Sequence, residues 1–226
     1  MELTLLTPCL NEEKTINTVI NKAFRFLSEY NIDGEVLVCD NGSTDNSINI
    51  IKSTKARLIS ASKLGYGSAL IEGIKNSKGK YIIMFDSDDS YDLDNLYPFL
   101  ESLREGYDLV MGNRYKGGLE KGSMKLSHFF GVKFLTLLGN ILYHTKIGDY
   151  HCGLRGFNKD KFLNLNLECS GMEFASEMIL KAKLNNYNII EIPKKLFKDG
   201  RDKKSHLNTI RDGIRHVNCL IKYKIH

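Results

Sequence analysis

The chain opens with an apolar run, Leu3 to Leu6, that ends at Thr7 and Pro8, after which Ile16, Val19, Ile20, Ala23, Phe24 and Leu27 recur at helical spacing. The run predicts a buried strand, and the spacing an amphipathic helix packed upon it. The alternation then repeats. Residues 35–39 read as a strand, Ser43 and Asp45 offer helix caps, 57–60 are extended, 68–76 helical, and 81–85 a buried strand. Further on, the pattern predicts a helix over 96–103, a strand over 108–111, a long helix including 129–143, a Gly-rich polar stretch over 149–157, a helix over 173–182 and a strand over 188–192. Such an order predicts an α/β fold, a Rossmann-like and mostly parallel central sheet with helices on both faces. Ligands in these sheets bind beyond the carboxyl ends of the strands.

Composition adds a bias at one end. A length of 226 residues with 42% apolar content suffices for one large domain. Between 194 and 224, ten Lys or Arg stand against three Asp. A segment so basic suits phosphates, acidic lipid or nucleic acid, and equally a solvated face. Regularly interleaved stacking aromatics are missing from it, which argues against nucleic acid. The five cysteines show no paired spacing, so a reduced, cytoplasmic compartment is expected. The opening residues lack the pattern of a secretion signal. No run of about 18 apolar residues is evident, and 129–143, interrupted by Lys133 and Asn140, reads as a core helix or one lying at a membrane interface.

Candidate chemistry is densest at Asp86-Ser87-Asp88-Asp89, directly after the apolar strand 81–85. Two carboxylates one residue apart, where a strand breaks into a loop, can share a hard divalent cation such as Mg²⁺ or Mn²⁺. An acidic turn capping the next helix is the alternative. Two more polar loops follow the first two strands, Pro8 to Glu13 and Asp40 to Asp45. Asp40 can accept hydrogen bonds from ribose hydroxyls or a base, and Gly42 permits a tight turn beside a ligand.

The segments Thr7-Pro8-Cys9-Leu10-Asn11-Glu12, Asp40-Asn41-Gly42-Ser43-Thr44-Asp45, Leu64-Gly65-Tyr66-Gly67-Ser68-Ala69, Asp86-Ser87-Asp88 and Gly112-Asn113-Arg114-Tyr115 resemble, in order and spacing, the family-two glycosyltransferases of GT-A fold. The likeness continues through Asp149 to Phe157, Gly171 to Glu177 and Asp199 to Leu207. It points to the branch containing dolichyl-phosphate mannose synthase and bacterial polyprenyl-phosphate sugar transferases. The resemblance implies an inverting, metal-dependent transfer from a UDP- or GDP-sugar to a polyprenyl phosphate. By it, Pro8, Leu10, Glu12 and Asp40 surround the donor's base and ribose, and Asp86 and Asp88 address the metal and diphosphate. Arg114, Arg155, Arg201 and Lys204 become phosphate contacts, with Arg155 serving the acceptor. Residues 1–197 are then the catalytic domain, and 198–226 a basic flap and amphipathic helix. Asn41 stands where relatives often carry a second acid, so the ribose contact rests on Asp40. Several relatives continue into membrane-spanning helices, so membrane contact here is expected to be peripheral, through the last helix or the one around Phe129.

Rival readings are narrower. A hydroxyl acceptor on a glycan or lipid would need a base, for which Asp149, Glu173 and Glu177 are candidates, although Glu177 and Lys181 have the spacing of a surface pair. Gly65-Tyr66-Gly67 lacks the third glycine of a dinucleotide fingerprint, since Leu70 stands there. His144, His151 and Cys152 lack a fourth ligand for zinc. A non-catalytic nucleotide-binding module is the remaining alternative. Residues 199–207 are expected to form a flap, displaced without ligand, that brings Arg201 and Lys204 to the diphosphate.

Overall fold

The leading apolar run forms β1 (Leu3–Cys9), buried along its whole length, as befits a parallel strand covered on both faces. The structure is a computed structural model that describes residues 1–201 and 209–225. Six further strands complete one sheet: β2 (Gly34–Asp40), β3 (Arg57–Ser60), β4 (Tyr81–Met84), β5 (Leu109–Asn113), β6 (Arg155–Asn158) and β7 (Ile189–Pro193). Their order is β3-β2-β1-β4-β6-β5-β7. All pairings are parallel except those of β6, which runs antiparallel to β4 and β5. The stretch 149–157, expected as a polar loop, thus supplies an interior strand from its second half.

Alternation along the strands divides the core between two faces. Leu3, Leu5, Ile83 and Val110 point toward α1 (Ile16–Glu29) and α4 (Tyr97–Arg104). Leu6, Ile82, Met84 and Met111 face the other side, covered by α3 (Tyr66–Asn76), α6 (Leu126–Tyr143), α8 (Phe174–Leu184) and α9 (Thr209–Ile225). Short helices α2 (Ser47–Lys52), α5 (Arg114–Gly117) and α7 (Lys159–Asn164) fill the connections. Helix α9, expected as part of an appended segment, buries Cys219 and Leu220 in this second core. The Tyr143 hydroxyl of α6 donates to the Leu220 carbonyl at 2.6 Å.

Helix α6 contains the stretch 129–143 and begins at Leu126. At 18 residues it is, by length and composition, long and apolar enough to cross a membrane, which corrects the sequence reading. Only 28% of it is buried. Leu126, Phe130, Phe134, Leu137 and Ile141 are all exposed, at intervals of four, four, three and four, and so share one face.

Candidate active site

Strand order reverses beside β1, which lies between β2 and β4. The loops leaving these strands converge there, as a switch point in such a sheet requires. The β1 and β2 loops are stitched together by short polar side chains. The Asn11 side-chain carbonyl accepts from the amides of Thr44 and Asp45 at 2.8 and 3.2 Å, and the Ser43 hydroxyl accepts from the Asn11 amide at 2.9 Å. Asp40 is buried, and its carboxylate closes its own turn by accepting from the Gly42 and Ser43 amides. Asn41 links onward, accepting from the Gly65 amide at 2.8 Å. Gly42 holds a φ of 93°, a region that glycine enters freely. The β2 loop therefore faces the neighbouring cavity through Asn41 and Gly42, while Asp40 shapes the turn beneath.

The acidic tetrad divides its work. Asp86 accepts from the Tyr66 hydroxyl at 2.9 Å. Asp88 accepts through one oxygen from the Ser90 hydroxyl and amide, at 2.6 and 3.1 Å, and through the other from Arg201 at 2.7 Å. Asp89 adopts a left-handed φ of 62° and turns to Lys22, 2.7 Å away. Burial, reinforced by the Asp88 charge, raises the Asp86 carboxyl to about 6, despite the Tyr66 hydrogen bond. Glu12 is likewise lifted by burial to about 7, with Asp88 adding to the rise and Arg201 opposing it.

A cavity of about 1160 Å³ opens over these groups. Pro8, Leu10, Glu12, Asp86, Asp88, Arg114 and Arg201 line it, and it continues to Val132, Phe134 and Leu135 of α6 and Ile214 and Val217 of α9. Arg114 is buried and held bidentate by Asp149 at 2.7 and 2.8 Å. Lys125, Arg211 and Arg215 also line the cavity, Arg215 being paired with Glu173 at 2.7 Å. Lys204 lies outside the described residues.

Arg155 is placed differently from its expected role as a phosphate contact. It is fully buried and does not line the cavity. Its guanidinium donates to the carbonyls of Cys152, Tyr150 and Ala175 at 2.9, 2.7 and 2.7 Å. It is a staple of the 149–154 loop, spent on backbone acceptors. The candidate bases are also engaged. Asp149 is wholly buried against Arg114, whose charge and hydrogen bonds outweigh burial and hold it below the usual carboxylate range. Glu177, far from a surface position, is fully buried and accepts from Lys181, Tyr223 and the amides of Glu168 and Cys169.

Two supporting residues escaped the sequence reading. Tyr66, seen only as part of a glycine motif, orients Asp86. Gly153 lies so close that an added Cβ would stand 2.4 Å from an Asp86 oxygen, which explains a glycine there. The Gly-Tyr-Gly spacing was the available signal for the first, and the Gly-rich stretch 149–157 for the second, without singling out Gly153.

Asp86 and Asp88 offer hard oxygen donors that suit Mg²⁺ or Mn²⁺. Among the described residues, no three His, Cys, Asp or Glu side chains gather to enclose an ion. That matches ions of the Mg²⁺ kind, which take one or two carboxylates and complete their shell with water and substrate phosphate. The Arg201 guanidinium on Asp88 is a stand-in cation, and burial raises the neighbouring Asp86 carboxyl. The residues fit the ion.

Residues 4–165 match the family model described as glycosyl transferase family 2, and the chain belongs to that family. It is 35% identical, over 97% of its length, to the low-salt glycan biosynthesis hexosyltransferase Agl6 of Haloferax volcanii, of which it spans 53%. A dolichyl-phosphate hexose transferase of the same organism is 27% identical over 85% of this chain and 81% of its own. Among solved structures, glucosyl-3-phosphoglycerate synthase from Mycobacterium tuberculosis, in complex with Mn²⁺, UDP and glucosyl-3-phosphoglycerate, superposes with a TM-score of 0.71. That match covers 98% of this chain and 79% of the other at 18% identity, so it speaks for the fold, which is of GT-A type.

Proposed function

We propose that this chain transfers a sugar, with inversion, from a uridine or guanosine diphosphate donor to a polyprenyl phosphate at a membrane surface. The observation that carries the reading is the continuity of the cavity, which runs from the acidic strand ends, past cationic side chains, to the apolar helices α6 and α9. The names of relatives that act on dolichyl phosphate agree with it.

Pro8, Leu10 and Glu12 flank the donor's base and ribose, with Asp40 acting through the turn that it closes. Asp86 and Asp88 would hold Mg²⁺ or Mn²⁺, which when bound would neutralise charge on the departing diphosphate. Arg201, and Lys204 beyond the described residues, serve the same diphosphate. Arg114 and the basic groups toward α9 hold the acceptor phosphate in line for attack. An attacking phosphate is already anionic near neutral pH and needs no base. This agrees with Asp149 and Glu177 being locked in structural pairs. Residues 1–197 form the catalytic part, and the segment after them contributes Arg201 and α9. The exposed apolar stripe of α6 rests on the cytoplasmic membrane surface and delivers the lipid to the cavity mouth.

The test is incubation with radiolabelled nucleotide sugars, a polyprenyl phosphate and Mg²⁺ or Mn²⁺, followed by extraction of lipid-linked product. Label in the lipid phase, abolished by EDTA, is expected. Donor binding without transfer to any acceptor would favour a nucleotide-binding module.

A further inference from the structure

We propose that Arg201 is a latch that occupies the cation position of the ligand-free protein, and that divalent metal must displace it. The inference rests on the proposed metal-assisted reading, which it deepens. One guanidinium touches three carboxylates: Asp88 at 2.7 Å, Glu12 at 3.3 Å and Asp199 at 3.4 Å. These come from the β4 loop, the β1 loop and the segment after β7. The backbone beside it is pinned, since the Gly200 amide donates to the Asp88 carbonyl at 2.9 Å. An added Cβ at Gly200 would stand 2.9 Å from the Thr15 methyl carbon, so this approach needs glycine. Of the segment 199–207 expected as a flap, residues 199–201 sit on the acidic loops, and 202–207 lie outside the described residues.

The latch fits imperfectly, and its imperfections favour exchange. With the Asp88 oxygens shared between Ser90 and Arg201, an incoming ion must take Asp88 from the guanidinium. The Arg201 Nε, although buried, has no hydrogen-bond partner, a defect that costs stability in the latched state. Asp86 is not among the carboxylates that Arg201 touches. A guanidinium forms strong bidentate bonds to phosphate oxygens, so a nucleoside diphosphate arriving with the ion gives Arg201 a new partner within the same cavity. A side-chain rotation suffices. Metal and nucleotide therefore bind synergistically, and the ion alone binds weakly.

Titration of free Mn²⁺ by electron paramagnetic resonance, without nucleotide, tests this. Arg201→Ala should bind Mn²⁺ at least about tenfold more tightly than the unmodified chain, while Mn²⁺-dependent UDP or GDP binding weakens about tenfold. Lys125→Ala, which removes a cavity charge that makes no carboxylate contact among the described residues, should leave Mn²⁺ affinity within about twofold. An unchanged affinity in Arg201→Ala, or an equal gain in Lys125→Ala, overturns the latch. Should Arg201→Ala misfold, ¹⁵N-arginine NMR on the unmodified chain decides: the Arg201 side-chain signal should move on adding Mg²⁺ alone, and a fixed signal at saturation overturns the proposal. If neither nucleotide binds the unmodified chain, the sugar-transfer reading fails, while the Mn²⁺ comparison still judges the latch.

Discussion

Glu12 carries a charge that its surroundings neutralise only in part. Its carboxyl is raised by burial to about 7, whereas glutamates of the unfolded chain titrate near ~4.3. The folded state holds this proton more tightly, so its contribution to stability is fully present below the unfolded value. It declines as pH rises toward 7 and is flat beyond. The displacement corresponds to about 4 kcal/mol at most. Glu12→Gln in EDTA should therefore gain stability over the unmodified chain between about pH 5 and 8; a pH-independent difference in melting would contradict this. Arg155 calls for a different prediction from the sequence expectation of a phosphate contact. Arg155→Ala would orphan two buried carbonyls and one part-buried carbonyl and leave a void, for a loss of about 3 to 5 kcal/mol. Urea unfolding measures it, and Arg155→Lys should rescue little because it lacks the planar fork. A variant of normal stability with selectively impaired acceptor use would restore the sequence reading. The sequence presents Arg155 and Arg201 alike, as arginines beside glycines. Only the three-dimensional packing separates a wholly buried staple from a side chain over the carboxylates.

Among the elements, α6 invites the most direct test. Its Phe130, Phe134 and Leu137 are largely exposed, an apolar area costly to leave in water unless a surface takes it up. Replacing all three with Ser should preserve folding and reduce co-sedimentation with anionic lipid vesicles by about tenfold or more. Equal sedimentation would exclude this face as the membrane contact. The strands β1 to β5 were legible because apolar, β-branched runs alternate with helical spacing. The strand β6 was not, because Arg-Gly-Phe-Asn holds one strong strand former, Phe157, between a Gly and an Asn that disfavour strands. Gly156 is small because a Cβ there would stand 3.1 Å from Leu103, a contact between residues 53 positions apart in the chain. Loop composition located the acidic strand ends, yet the stitching of Asn11 to Thr44 and of Tyr66 to Asp86 depends on strand order, which local pattern does not reveal.

At the scale of the whole molecule, a mixed sheet with a core on each face brings acidic loops to one end and an apolar helical layer to the same cavity. Both ends of that cavity are needed for the proposed reaction. Asp88→Asn should retain the fold and lose transfer by at least about a hundredfold, as measured by lipid-linked product at saturating Mn²⁺; substantial residual transfer would remove Asp88 from the metal site. In the proposed reaction an anionic lipid phosphate accepts the sugar without a protein base. Competition between a polyprenyl phosphate and the corresponding polyprenol, with one labelled donor in the same vesicles, tests it most directly. Label in the phosphate-linked product alone is expected. Equal or preferential labelling of the alcohol, or of a soluble glycan added beside them, would contradict it.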